Sequence, residues 1–125
     1  MKMEEVKKML APKWNKLKRL AKEMLPYCDN ETKGTSLTFR ERVSVPGNLL
    51  YEEHDTSIYD VVLVCDIDYE EDVCRYMWGM VMQIWGKEGR CYGVAGYVDK
   101  QVNASGKDEK QLKNLFYAMA SQVEV

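Results

Sequence analysis

The chain has 125 residues, 46% hydrophobic and 30% charged, with 18 Lys or Arg against 20 Asp or Glu. That length suits one domain burying about two-thirds of its unfolded surface, and the composition excludes disordered and fibrous classes. Apolar runs are short and broken by charge or glycine, which excludes a membrane-spanning helix, and residues 1–25 lack the uninterrupted apolar stretch of a secretory signal. A single cytoplasmic domain over residues 1–125 is expected.

Between Lys2 and Leu25 the apolar positions Val6, Leu10, Trp14, Leu17, Ala21 and Met24 recur at steps of three and four, the period of an amphipathic helix. Pro12 has no amide hydrogen to donate, so a kink or a second helix opening on it is expected, and Pro26 ends the segment. Residues 1–25 hold eight Lys or Arg against three Glu, and the outer face carries Lys8, Lys16, Arg19 and Lys22. This basic segment should precede a sheet-and-helix core over residues 36–125.

After a polar linker at residues 29–35, Leu37, Phe39, Glu41, Val43 and Val45 alternate with Thr38, Arg40, Arg42 and Ser44, as in a half-buried strand. Pro46-Gly47-Asn48 suits a type II turn, leading by a hairpin into a strand over residues 49–53. Residues 58–67 contain Val61-Val62-Leu63-Val64-Cys65, apolar on both faces, hence a central strand. Asp68-Tyr69-Glu70-Glu71 has the form of a capping box. The wide apolar set Val73, Cys74, Met77, Trp78, Met80, Val81, Ile84 and Trp85 then suits a helix of about eighteen residues, ending at Gly86 or Gly89. A strand over residues 90–99, a turn over 103–106 and a helix with the stripe Leu112, Leu115, Phe116 and Met119 complete the chain. The expected fold class is α+β, a mostly antiparallel sheet of about four strands packed with helices in the order α-β-β-β-α-β-α, with one βαβ crossover.

Charge is the strongest functional cue. Residues 43–74 contain no Lys or Arg but hold Glu52, Glu53, Asp55, Asp60, Asp66, Asp68, Glu70, Glu71 and Asp72. On one face, these carboxylates would repel nucleic acid and attract basic proteins or divalent cations. The leading expectation is a non-enzymatic interaction module, of the small-inhibitor type that phages and mobile elements use, binding a basic protein surface. Glu52, Glu53, Asp55, Asp66, Asp68, Glu70 and Glu71 would steer the partner, and Trp78, Met82 and Trp85 would be buried against it. The same aromatic-methionine cluster suits a homodimer seam. Direct nucleic-acid binding is disfavoured, because the basic residues concentrate in the first helix.

Two other classes have residues of their own. Two carboxylates in Asp66-Ile67-Asp68, at the end of an apolar strand, can hold Mg²⁺ against a phosphate, unless they only cap the helix that follows. The stretch resembles the first metal-binding strand of palm-type nucleotidyl cyclases and polymerases, and also the opening motif of haloacid dehalogenase-like phosphatases. The resemblance implies metal-dependent nucleotide or phosphate chemistry at Asp66 and Asp68. The palm families carry further acidic residues on the next hairpin, and residues 89–96 have none. Alternatively, Trp85, Tyr92 and Tyr97 line a pocket for a flat, nucleotide-like ligand. Cys28, Cys65, Cys74 and Cys91 form no CxxC pair and the chain has one histidine, so no zinc site is expected, and Cys65 and Cys74 read as core residues. No nucleophile is tied to His54, and no catalytic residue is assigned.

Overall fold

The computed structural model describes residues 1–24, 37–70, 75–98 and 101–120. Helix α1 (Met3–Met24) buries Val6, Leu10, Trp14, Leu17 and Ala21, the face its spacing marks. It runs unbroken through Pro12, so no second helix opens there. Pro12 is exposed, where water can replace the backbone bond that its ring removes.

Strands β1 (Leu37–Pro46), β2 (Ile58–Glu70), β3 (Arg75–Trp85), β4 (Cys91–Val98) and β5 (Gln101–Gly106) form one antiparallel sheet in sequential order. A one-turn helix α2 (Gly47–Leu50) follows β1, and α3 (Glu109–Ala120) closes the order. The α+β class expected from the sequence is the one observed, with five strands.

Five local expectations are corrected. The segment expected as a helix from Asp68 to Gly86 is strand: Asp68 lies within β2 opposite Met77, and residues 75–85 are β3. Its apolar set satisfies a period of two as well as 3.6, and Tyr76, Trp78, Val81, Ile84 and Trp85, with Gly79 among them, favour a pleated strand over a helix. Asp68 is therefore no helix cap, and the βαβ crossover disappears, because β2 and β3 pair antiparallel from Asp60↔Trp85 to Glu70↔Arg75. The expected strand at residues 49–53 is instead α2 and a loop. Leu49-Leu50-Tyr51 is an unbroken apolar run rather than an alternating one, and Leu50 and Tyr51 both turn into the core. The expected turn at 103–106 is the end of β5, an edge strand whose Val102 is buried and whose other residues are small or polar.

Helices α1 and α3 cover one side of the sheet. Leu63, Cys65, Met80, Met82, Ile84 and Ala95 meet Leu10, Trp14, Leu17, Leu112, Leu115 and Phe116 in one buried cluster. Each large member contributes about 1.5–3 kcal/mol through the apolar area it hides from water. Trp14 and Phe116 meet edge to face, ring centroids 5.5 Å apart, and join the two helices. Glu41 lies on this side at the sheet margin, where Lys16 and Lys13 of α1 pair with it at 2.5 and 3.5 Å.

Candidate functional site

Side chains of a strand alternate between faces, and β2 carries apolar residues on both. Tyr59, Val61, Leu63 and Cys65 join the cluster under the helices. Asp60, Val62, Val64, Asp66 and Asp68 take the opposite face, over which none of the described helices packs. Val62 and Val64 are nonetheless only 9% and 6% exposed. In register, Val62 lies between Arg42 and Gln83, and Val64 between Arg40 and Val81. Arg40 and Arg42, both exposed, flank the valines on the β1 side. Val94 continues the apolar strip beside Gln83, and half-exposed Trp85 ends it, its indole N–H donating to Gln83 Oε1 at 3.0 Å.

Carboxylates mark both ends of this strip. Asp60 sits near Trp85, accepting from the Ser44 hydroxyl at 3.2 Å and lying 3.9 Å from the Arg42 guanidinium. Asp66 accepts from the Thr38 hydroxyl at 2.8 Å, and exposed Asp68 follows two residues on. Asp60 and Asp68 are about 26 Å apart along the strand. The acidic run thus divides into two poles rather than forming one continuous patch, with Arg40 and Arg42 along the β1 side. Among the described residues no group of three or more His, Cys, Asp or Glu lies together; Asp66 and Asp68 form a pair beside Thr38.

The loop between α2 and β2 lies at the Trp85 end. Glu52, Glu53 and His54 are exposed in it, whereas Asp55 is engaged. Its carboxylate accepts from the Tyr59 hydroxyl at 2.8 Å and the Ser57 amide at 2.9 Å. A Cβ on Gly47 would stand 2.5 Å from that carboxylate and push it off these bonds. Tyr59 stacks edge to face with both Tyr51 and Tyr92, at 5.1 and 5.2 Å. Lys107 places its ammonium 4.5 Å above the Tyr51 ring. Burial, followed by the bond to Asp55, pushes the Tyr59 hydroxyl up to about 12. Burial also pushes the Cys65 thiol up to about 11, with the neighbouring Asp66 adding to it. This suits a core cysteine rather than a nucleophile.

Of the partner residues expected from sequence, Asp66, Asp68 and Trp85 share the open face, with Glu52 and Glu53 beyond one end of it. Asp55 is a loop clamp. Met82 is fully buried beneath the helices and cannot be a partner anchor: it belongs to a strand, where the residue next to an open-face position faces the other way. The side chains of Glu70 and Trp78, and the whole of Glu71, Cys28, Cys74 and the 29–35 linker, lie outside the described residues. Trp85, Tyr92 and Tyr97 do not converge. Trp85 is on the open face, Tyr92 stacks on Tyr59 on the helix side, and Tyr97 lies about 17 Å further along β4. Sequence reasoning missed Arg40, Arg42, Val62 and Val64, which become a site only once β1 and β2 are placed in register.

Compared with protein-family models, curated proteins and solved structures, the chain matches none, so its function has to be read from its own geometry. No described helix is long and apolar enough to cross a membrane.

Two carboxylates give the fold a defined acid response. The hydrogen bond and charge of Lys16, with Lys13, hold Glu41 below its usual range, and the Tyr59 and Ser57 donors do the same for Asp55. A carboxylate with a lowered folded-state pKa stabilises the fold fully above its unfolded value and loses that contribution as pH falls through the folded one. The melting temperature should therefore hold between neutrality and about pH 5 and decline below it. In Glu41→Gln the decline should be shallower, as calorimetric melting across this range would show. An unchanged acid profile in that variant would mean the Lys13–Lys16–Glu41 contact adds nothing.

Proposed function

We propose that this chain is a non-enzymatic protein-binding module that engages a partner through the open face of its sheet. The supporting observation is the Val62–Val64–Val81–Trp85 strip, apolar and uncovered by any described helix, with carboxylates at both ends. Val62 and Val64 are already buried in the strip, so the apolar surface left for a partner is that of half-exposed Val81 and Trp85. The occupant that fits is a protein with an apolar centre flanked by lysines or arginines, which would meet Asp60 and Glu52–Glu53 at one end and Asp66–Asp68 at the other. Asp60 and Asp66 are held by Ser44 and Thr38, so less ordering is needed on binding. The basic α1 lies on the opposite side of the sheet, and this polarity would orient an approaching cationic partner. Free thiols at Cys65 and Cys91 suit reducing cytoplasm. Acting by occupancy, as a small inhibitor does, is the mode we propose.

The test starts by capturing a partner on the full chain and measuring its affinity after purification. Trp85→Ala should weaken binding by about thirtyfold, the effect of removing a large aromatic anchor. Asp66→Lys with Asp68→Lys should slow association most at low salt. Lys8→Glu with Arg19→Glu and Lys22→Glu, on the far side, should leave the affinity intact. A partner held equally well by the Trp85 and Asp66/Asp68 variants would refute the assignment. So would a dimer of the chain that Trp85→Ala dissolves, since the face would then belong to a second copy.

A further inference from the structure

A second site lies on the helix side of the sheet, where α3 runs beside the β4–β5 hairpin. Tyr97, Gln101, Val102, Lys113 and Tyr117 line a groove of about 300 Å³ there. Two of the three exposed large apolar residues of the described chain meet in it: Tyr97 is 48% and Tyr117 61% exposed. Tyr97 is braced from behind by Phe116, whose fully buried ring meets it at 64° with centroids 6.1 Å apart. Val102 is buried and floors the groove. Among the described residues neither tyrosine hydroxyl, nor the Gln101 amide, nor the Lys113 ammonium has a hydrogen-bond or ion-pair partner.

These groups specify a ligand class. Exposed tyrosine faces bind flat rings. Gln101 offers a donor and an acceptor side by side, as the edge of a heterocyclic base requires. Lys113 places a cation at the groove, which an anionic group on the ligand would complement, and Lys110 stands on the same exposed side of α3 one turn earlier. A neutral sugar would make no use of the Lys113 charge. A long single strand would carry its further phosphates over a domain of net charge −2. The volume is at the lower limit for small-ligand pockets, enough for one ring system with one phosphate. We propose that this groove binds a nucleoside monophosphate, its base against Tyr97 and Tyr117 and its phosphate at Lys113. The proposal is independent of the open face.

The full chain would be titrated with AMP, GMP, CMP and UMP, following amide shifts by NMR, with adenosine and inorganic phosphate as the separate halves. At least one nucleotide should saturate, shift residues of α3 and the β4–β5 hairpin, and bind more tightly than either half. Tyr117→Ala should weaken it at least about fivefold, the lower end for loss of one stacking ring. Lys113→Ala should weaken the nucleotide but not adenosine. Both positions are exposed, and circular dichroism would verify that the variants keep the fold. No saturation by any of the four up to about 10 mM, a range weaker than any specific site of this kind, would overturn the proposal. So would phosphate binding as tightly as the nucleotides, or affinity indifferent to both substitutions. A ten-nucleotide single strand binding more tightly through the same residues would replace the mononucleotide with a polymer.

Discussion

Phe116→Ala is expected to destabilise the domain by about 3–5 kcal/mol, the cost of emptying an aromatic-sized space in a packed core. Phe116 is the largest fully buried side chain among the described residues, and its ring touches both Trp14 of α1 and Tyr97 of β4. Truncation therefore opens a void where three elements meet, and the backbone cannot collapse toward all of them at once. For a domain whose total stability is about 5–15 kcal/mol, this is enough to populate unfolded chains on mild heating. Urea denaturation of the wild type and of Phe116→Ala and Phe116→Leu would measure it, the leucine variant losing under about half as much because most of the volume is kept. A loss below about 1 kcal/mol for alanine would mean that α3 docks without being part of the cooperative core.

Gly106→Ala should be nearly as damaging for a different reason. Gly106 has φ +109°, and it ends β5 directly opposite Gly93 of β4. An L-residue held in that conformation costs about 1–3 kcal/mol in backbone strain alone. A Cβ would also strike the Tyr92 carbonyl oxygen and stand 2.7 Å from the Gly93 Cα, both backbone atoms that cannot swing aside. The β4–β5 pairing would have to part, loosening the start of α3. Gly89→Ala is the control: its φ is +70° and a Cβ there meets nothing within 4 Å, so it should lose only about 1 kcal/mol. Thermal melting of the pair isolates the close approach. Equal losses would show that the Gly93–Gly106 contact has room to spare.

The helices at both ends of the chain were legible because they are half-buried, so that one period fits and others do not. Val6 to Ala21 and Leu112 to Met119 mark single faces, and those faces are buried. The long β2–β3 hairpin was legible only in its first strand. Residues 75–85 are apolar at nearly every position, so periodicity alone does not choose between helix and strand. Pairing with β2 over eleven residues decides the question, and that partner is outside any local window. The capping-box reading of Asp68 failed with it, since a cap exists only if a helix follows.

The candidate site was less legible still. Acidic density along residues 43–74 is visible in the sequence, but whether carboxylates converge depends on pleat and register. Asp60, Asp66 and Asp68 share a face because they are separated by even numbers of residues on one strand, while Glu52 and Glu53 lie in the loop before it. The arginines that line the strip belong to β1, where they read as an ordinary solvent face. In the sequence Tyr117 is one exposed position of the last helix among several. It becomes informative only once the β4–β5 hairpin brings Tyr97 beside it.

Every strand of the sheet pairs with its immediate neighbour in the sequence. Ladder formation therefore needs only short loop closures, each hairpin able to form on a microsecond scale of about 1–10 μs before the next is added. Zippering outward from β2–β3, with α1 and α3 arriving to cover one surface, is the folding route this connectivity favours, and it should make the domain quicker to fold than a Greek-key sandwich of equal size.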